Sequence, residues 1–235
     1  MVQGLPSVAQ TAQWTADEIV QRMLETDSVR RQALQRYTSS RVYVAENKRF
    51  SQRAEVAVRE SYSFPGKKDF TVLSETGSGY IRRKVIDKLI AAEIESAQKD
   101  NRDQTRITPE NYRFQLSGTE PVEGRSCFVV EVIPLHAKKY LVRGKIWVDQ
   151  EEFAIMRMEV APAKNPSFWT RKVQIVRRYQ KYGLFWLPAS LESASDILIA
   201  GKSTLQIAYT DYQINSPDNQ PGLPAPVADP ALRAR

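Results

Sequence analysis

The sequence predicts a mainly β (α+β) fold: one large, curved antiparallel sheet of about ten strands with two helices packed on its concave side. Three observations predict it. Apolar residues recur every two positions over most of the chain, which is the period of a half-buried strand. Helical spacing occurs in only two stretches. No βαβ alternation occurs, and the links between the last three strands, from Trp169 to Asn215, are too short for crossovers, so those strands run antiparallel. An antiparallel sheet of this size twists and curls, and something must fill its concave face. The two helices are the available plugs.

Taken in order, residues 1–13 are small and polar and are expected to be a flexible N-terminus. Thr15 is suited to cap a helix, with Asp17 and Glu18 in the first turn complementing the helix dipole. Ile19, Val20, Met23, Leu24 and Leu34 give that helix its apolar side, and it is expected to run to about Tyr37 with a weaker stretch at Thr26-Asp27-Ser28. The period then changes to two. Arg41–Ala45, Arg53–Arg59 and Phe70–Leu73 read as strands, with Val42 and Val44, then Ala54, Val56 and Val58, as the repeating apolar positions. Pro65-Gly66 marks the turn between the second and the third.

Gly77-Ser78-Gly79 breaks this series, and a second helix is expected from Tyr80 to about Lys99. Ile81, Val85, Ile86, Leu89, Ile90 and Ile94 form its stripe, which is expected to pack on the sheet. Residues 99–108 read as a polar loop. From Asn111 to Ile214 the chain is almost all strand, with candidates at Tyr112–Leu116, Ser126–Ile133, Tyr140–Asp149, Ala154–Val160, Thr170–Tyr182, Phe185–Ser195 and Ser203–Ile214. The last three read as a meander. Residues 216–235 carry five prolines and no apolar period and are expected to be a disordered tail, which leaves 14–215 as the folded domain.

Composition narrows the function. The 235 residues carry a formal net charge of +7, which suits an anionic membrane surface or nucleic acid as well as an ordinary solvated face. The dense basic runs are short, such as Arg82-Arg83-Lys84, and no nucleic-acid-binding signature accompanies them, so nucleic acid is not expected as a partner. One cysteine, Cys127, and one histidine, His136, rule out an intrachain disulfide and a Cys/His zinc site, and no metal or cofactor is expected. Cys127 lies in an apolar run and reads as a buried structural thiol. His136 reads as an exposed turn residue. Ser7-Val8-Ala9 before Gln10 is similar to a signal-peptidase site, as in an exported chain from which the signal peptide is absent, although a cytoplasmic chain would look the same.

No catalytic constellation is present: there is no Gly-x-Ser-x-Gly elbow, no phosphate-binding loop and no dinucleotide fingerprint. The chain is therefore not expected to be an enzyme. Asp149, Glu151 and Glu152 sit in an expected hairpin, where solvated turn residues are the default. The aromatics are more informative. Trp147, Phe153, Phe168, Trp169, Tyr179, Phe185 and Trp186 crowd the C-terminal half, and Met156 and Met158 are expected to share one face of a strand. Large aromatics and adaptable methionines line ordinary cores, and they also line pockets for flexible apolar ligands.

The run Gly144-Lys-Ile-Trp-Val-Asp-Gln-Glu-Glu-Phe-Ala-Ile-Met-Arg-Met-Glu159 resembles the strand, Asp, short turn, strand unit of the LolA/LolB lipoprotein carriers and of the RseB-type periplasmic sensors. Phe128–Pro134 before it, and Tyr182–Pro188 with Ala189–Ser193 after it, are similar in kind to the flanking strands of that superfamily. The resemblance covers about Trp14 to Asn215. It implies a half-barrel with an apolar cavity for acyl chains of a lipid or lipoprotein, in a periplasmic or outer-membrane setting. On that basis Trp147, Phe153, Met156, Met158, Trp169, Trp186, Ile86 and Ile90 are the candidate cavity residues. Arg82, Arg83 and Lys84 are the candidate contacts to headgroups or a membrane surface. The alternative within the same superfamily is a regulatory module of RseB type that binds a protein partner. The sequence departs from the pattern in its long second helix, basic at its start, and in lacking the N-terminal lipidated cysteine of the LolB type.

Overall fold

The computed structural model describes residues 14–97, 106–138, 140–165, 170–198 and 201–215. The expected N-terminal segment, the Pro-rich tail, most of the 99–108 loop, Phe168 and Trp169 lie outside them.

The first helix, α1 (Ala16–Ala33), begins as expected at Thr15. The Thr15 hydroxyl accepts from the Glu18 backbone N–H at 3.3 Å, and the Glu18 carboxylate accepts from the Thr15 N–H at 2.8 Å. This reciprocal capping box satisfies two donors that the first turn would otherwise leave open. The helix ends earlier than expected. Tyr37 already belongs to strand β1 (Arg36–Asn47), because alternate burial starts there. The buried residues of β1 are Tyr37, Ser39, Arg41, Tyr43 and Ala45, while Val42 and Val44, expected as its inward positions, lie on the other side.

Strands β2 (Gln52–Ser63) and β3 (Lys67–Gly77) follow. Ala54, Val56 and Val58 of β2 are buried as their spacing predicted. The second helix occupies residues 79–97 in three pieces, Gly79–Ile81, a π-helical turn Arg82–Ile86, and Asp87–Ala97. Ser78 caps it by accepting from the Ile81 N–H. The remaining strands are β4 (Tyr112–Val122), β5 (Arg125–Pro134), β6 (Val142–Asp149), β7 (Ile155–Pro162), β8 (Thr170–Tyr182), β9 (Phe185–Ile197) and β10 (Gly201–Ile214).

These strands form one open, antiparallel, ten-stranded sheet in the order β3-β2-β1-β10-β9-β8-β7-β6-β5-β4. The long link is between β1 and β10, which joins the N-terminal and C-terminal meanders into one surface. Adjacent strands rotate by about 20–25° each, so ten of them curl strongly. The fold is thus the mainly β, unclosed half-barrel with two helices that was expected.

The register shows that both helices lie on one face. Cross-strand partners run from Leu116 to Val130, Ile146, Met158, Arg177, Leu191, Ile207, Tyr43 and Val56. Partners directly opposite in an antiparallel ladder share a face. At the β4–β6 end of this row, α1 inserts Ile19, Val20 and Met23 among Phe128, Val130, Val132, Ile146 and Val148. At the β1–β2 end, the second helix inserts Ile81 and Ile86 among Tyr43, Val56, Val58, Ile207 and Tyr209. Each fully buried aliphatic side chain contributes about 1.5–3 kcal/mol. The two apolar clusters are separate: the first reaches Val160 and Met158 of β7 and Ile175 of β8, the second Leu191 of β9.

A third cluster lies on the opposite face: Cys127, Val129, Trp147 and Met156. It overturns the expectation that Met156 and Met158 share a face. The β6–β7 ladder shifts register between Trp147 and Val148, so Met156 and Arg157 both oppose Trp147's side of the sheet, while Met158 turns to the helix-bearing face. A bulge of this kind inserts one residue and reverses the alternation beyond it.

Candidate functional site

A cavity of about 270 Å³ opens between α1 and strands β7 to β9. Met23 and Leu24 of α1, with Leu34 just after its end, form its roof, and Phe153, Ala154, Ile155, Tyr179 and Leu187 its floor. Asp27, Arg30, Arg31 and Arg106 stand around it. The lining is apolar inside and charged at the rim.

The turn between β6 and β7 builds one wall. Asp149, expected as a solvated turn residue, is instead buried. Its carboxylate accepts from Arg125 at 2.7 and 2.9 Å and from the backbone N–H groups of Glu151 and Glu152 at 3.2 and 2.7 Å. Burial alone would raise its pKa, but these donors outweigh it and hold the carboxyl below its ordinary range. The turn leaves Phe153 at a φ of 49°, which aims its ring under α1, edge-on to Trp14 at 5.2 Å. Thr26 of α1 donates to the Phe153 carbonyl at 3.3 Å, so the weak stretch of the helix is where it is tied to the sheet.

Glu152 is the hub at the mouth. Its carboxylate accepts from Trp186 Nε1 at 3.0 Å and Lys181 Nζ at 2.7 Å, and its carbonyl accepts from Arg30 at 2.8 Å. It thereby fixes α1, β8 and β9 relative to one another. Sequence reasoning missed this role. The only signal was an acidic turn flanked in space, not in sequence, by Arg30, Lys181 and Trp186.

Of the candidate cavity residues, Phe153 and Trp186 line the cavity. Met158 sits beside it and receives the Tyr179 hydroxyl at 3.3 Å from its sulfur. Trp147 and Met156 face the other side of the sheet, where Trp147 Nε1 donates to Glu120 at 2.9 Å. Ile86 is sealed in the core under the second helix and Ile90 packs at its edge. Trp169 lies outside the described residues. Arg83 and Lys84 are exposed, whereas Arg82 pairs with Glu75.

Beneath the second helix lies an ionic network. Glu60 is fully buried and accepts from Tyr37 at 3.0 Å, Ser39 at 3.1 Å, Lys68 at 3.0 Å and Arg41. Arg41 also bridges to Glu93 of the second helix at 2.7 and 3.1 Å, and Lys68 reaches the same carboxylate at 2.6 Å. Burial would raise the Glu93 pKa; Lys68 and Arg41 outweigh it and hold it at about 2. The Arg41 guanidinium also stacks on Tyr209 and Phe70, at 4.7 and 5.1 Å. Charge and packing together clamp this helix to β1–β3. Among the described residues no group of side chains is arranged to hold a metal ion, and no described helix is long and apolar enough to cross a membrane.

The family model that matches the chain covers residues 96–220, more than half of it, and carries the description "-like: Uncharacterized protein". The chain belongs to that family. The matched residues hold β4 to β10 and therefore most of the cavity floor. No curated protein matches. Among solved structures, the chain is similar to a domain from Vibrio parahaemolyticus named for outer membrane lipoprotein sorting, at 12% identity and a TM-score of 0.46, covering 86% of this chain and 93% of that one. It is similar to a DUF1329 family protein from Desulfovibrio piger at 14% identity and a TM-score of 0.46, covering 86% and 94%. A LolA superfamily protein from Nitrosomonas europaea is similar at 14% identity and a TM-score of 0.40, covering 88% and 96%.

Proposed function

We propose that the protein is a periplasmic binding protein that holds an acyl chain of a lipid or lipoprotein between α1 and strands β7–β9, in the manner of a lipoprotein carrier. The observation that carries this reading is the cavity itself: apolar within, charged at its rim, and built on the sheet face that the helices cover. Its volume of about 270 Å³ lies just under the ~300–1,000 Å³ usual for ligand pockets, which fits one chain rather than several. Each buried methylene contributes about 0.8 kcal/mol, so ten of them supply roughly 8 kcal/mol before the cost of ordering the chain.

Native mass spectrometry of gently purified protein, followed by organic extraction, tests the reading. A bound acyl species, or uptake of added phospholipid or lipopeptide that Leu24→Trp reduces by filling the cavity, is the expected result. A clean apo mass with no uptake overturns it.

One observation favours a second reading, a regulatory module of RseB type. Strand β3 is a free edge of the sheet and exposes Val72 and Leu73, which suits strand addition by a protein segment. A partner cross-linked at Leu73 in cells, from protein that takes up no lipid, would favour it.

A further inference from the structure

The row of side chains that crosses the helix-bearing face from Leu116 to Val56 is uncharged at every position but one. That position is Arg177, at mid-sheet on β8, between Met158 and Leu191. The neighbouring strands cover the backbone there; Met158 and Ile175 lie at the margin of the α1 cluster and Leu191 at the margin of the second-helix cluster, and these three, Arg177 and Tyr179 are half-buried. Among the described residues this strip is a half-buried trough between the two clusters. Tyr179 joins it to the cavity: its ring lines the cavity, and the Arg177 guanidinium lies 5.3 Å from the centre of that ring.

Among the described residues no carboxylate is ion-paired with Arg177; Glu93 acts on it only at longer range. Arg41 and Lys68 share Glu60 and Glu93, but Arg177 makes no ion pair or hydrogen bond among the described residues, and its Nε is buried without a partner. Elsewhere on this face the cations have carboxylate partners, as Lys181 has Glu152, whereas the cation in the trough has no such pair among the described residues. A guanidinium carries five donors and stays charged at any physiological pH. Placing one amid apolar side chains is costly unless an anion completes it.

We propose that Arg177 is the subsite for the anionic headgroup of a single-chain lipid, which lies in the trough with its carboxylate or phosphate on the guanidinium and its chain running past Tyr179 into the cavity. This rests on the acyl-chain reading and adds to it a polarity and a ligand charge. The side chains of Met158 and Leu191 flank the head, and Tyr179 separates it from the chain. An uncharged lipid of the same length fills the cavity but leaves the guanidinium unpaired.

The test is competitive displacement of a fluorescent acyl probe by a C16 fatty acid, the matching alkyl phosphate, the matching fatty alcohol, and acetate, on wild type, Arg177→Gln and Arg177→Lys. A hydrogen-bonded ion pair to a charged group is worth about 10- to 100-fold in affinity. The wild type is expected to bind the acid or the phosphate at least tenfold more tightly than the alcohol; whichever of the two is preferred names the headgroup. Arg177→Gln is expected to abolish that preference while leaving alcohol affinity within about twofold, and Arg177→Lys to keep part of it. Acetate, lacking a chain, is expected not to compete.

Equal binding of acid, phosphate and alcohol by the wild type overturns the subsite and leaves the cavity reading standing. A preference that survives Arg177→Gln does the same. Binding of none of the three lipids overturns both. Competition by acetate alone would assign the guanidinium to a free small anion and not to a lipid. Because the wild-type preference needs no variant, a poorly folding Arg177→Gln does not protect the proposal.

Discussion

Glu60→Gln is the substitution on which the account of the second helix stands or falls. The side chain is 0% exposed, and its two oxygens serve four donors, from Tyr37, Ser39, Arg41 and Lys68. Glutamine fills the same volume, so no cavity forms. It carries only one acceptor oxygen, and its amide faces Arg41 or Lys68 as a donor against a donor. Two buried cations are then left with Glu93 alone, which is partly exposed. Removing one partner of a buried ion pair costs about 3–5 kcal/mol. In a chain of this size that is a fall in Tm of roughly 6–20 °C. The control is Glu25→Gln, which removes the Arg22–Glu25 pair, whose side chains are 59% and 51% exposed. Such pairs contribute about 0–1 kcal/mol. Urea and thermal unfolding of both variants beside wild type provide the assay. A loss below about 1 kcal/mol for Glu60→Gln, indistinguishable from Glu25→Gln, would refute the claim that buried charge clamps the helix to the sheet.

Other outcomes follow from the same structure. Glu93 is held at about 2 in the folded protein against an ordinary 4.5, so its stabilisation is present above pH 4.5 and is lost as pH falls towards 2. That term is on the order of 3 kcal/mol; urea midpoints at pH 5.5, 4 and 3 should fall in wild type and fall less in Glu93→Gln, and parallel curves would refute the assignment. Gly144 has a φ of 142°, and a Cβ there would meet the Glu159 carbonyl oxygen at 2.2 Å. Gly144→Ala is therefore expected to lose at least 2 kcal/mol in denaturant unfolding, the backbone strain alone being about 1–3 kcal/mol. Burial pushes the Cys127 thiol up to about 11, with the Asp149 carboxylate adding to it. The native protein should thus resist thiol reagents at pH 8 and react fully in denaturant, and rapid native labelling would show that this face of the sheet opens.

The period-2 stretches, the Thr15 cap, the Pro65-Gly66 turn and the apolar stripes of both helices were enough to determine a large antiparallel sheet with two helices, because those are local matters of spacing and backbone chemistry. Local spacing could not tell which face of β1 points inward. Val42 and Val44 alternate as cleanly as any strand core, yet Tyr37, Ser39, Arg41, Tyr43 and Ala45 are the buried set. A buried arginine and serine look like outward residues until Glu60 from β2 and Glu93 from the second helix are seen to satisfy them. Met156 and Met158 part company for a similar reason: the bulge that separates them is set by pairing with β6 and leaves no mark on its own strand. Phe153 and Trp186, singled out as aromatics, do line the cavity, but Glu152, Thr26 and Arg30, which position its walls, are ordinary polar residues far apart in the chain. The sequence by itself determined the elements and their order. Which side chains share a face, which charges meet, and that no described carboxylate is ion-paired with Arg177 were decided only when ten strands fixed their register, since a face of a sheet is a property of pairing and not of any one strand.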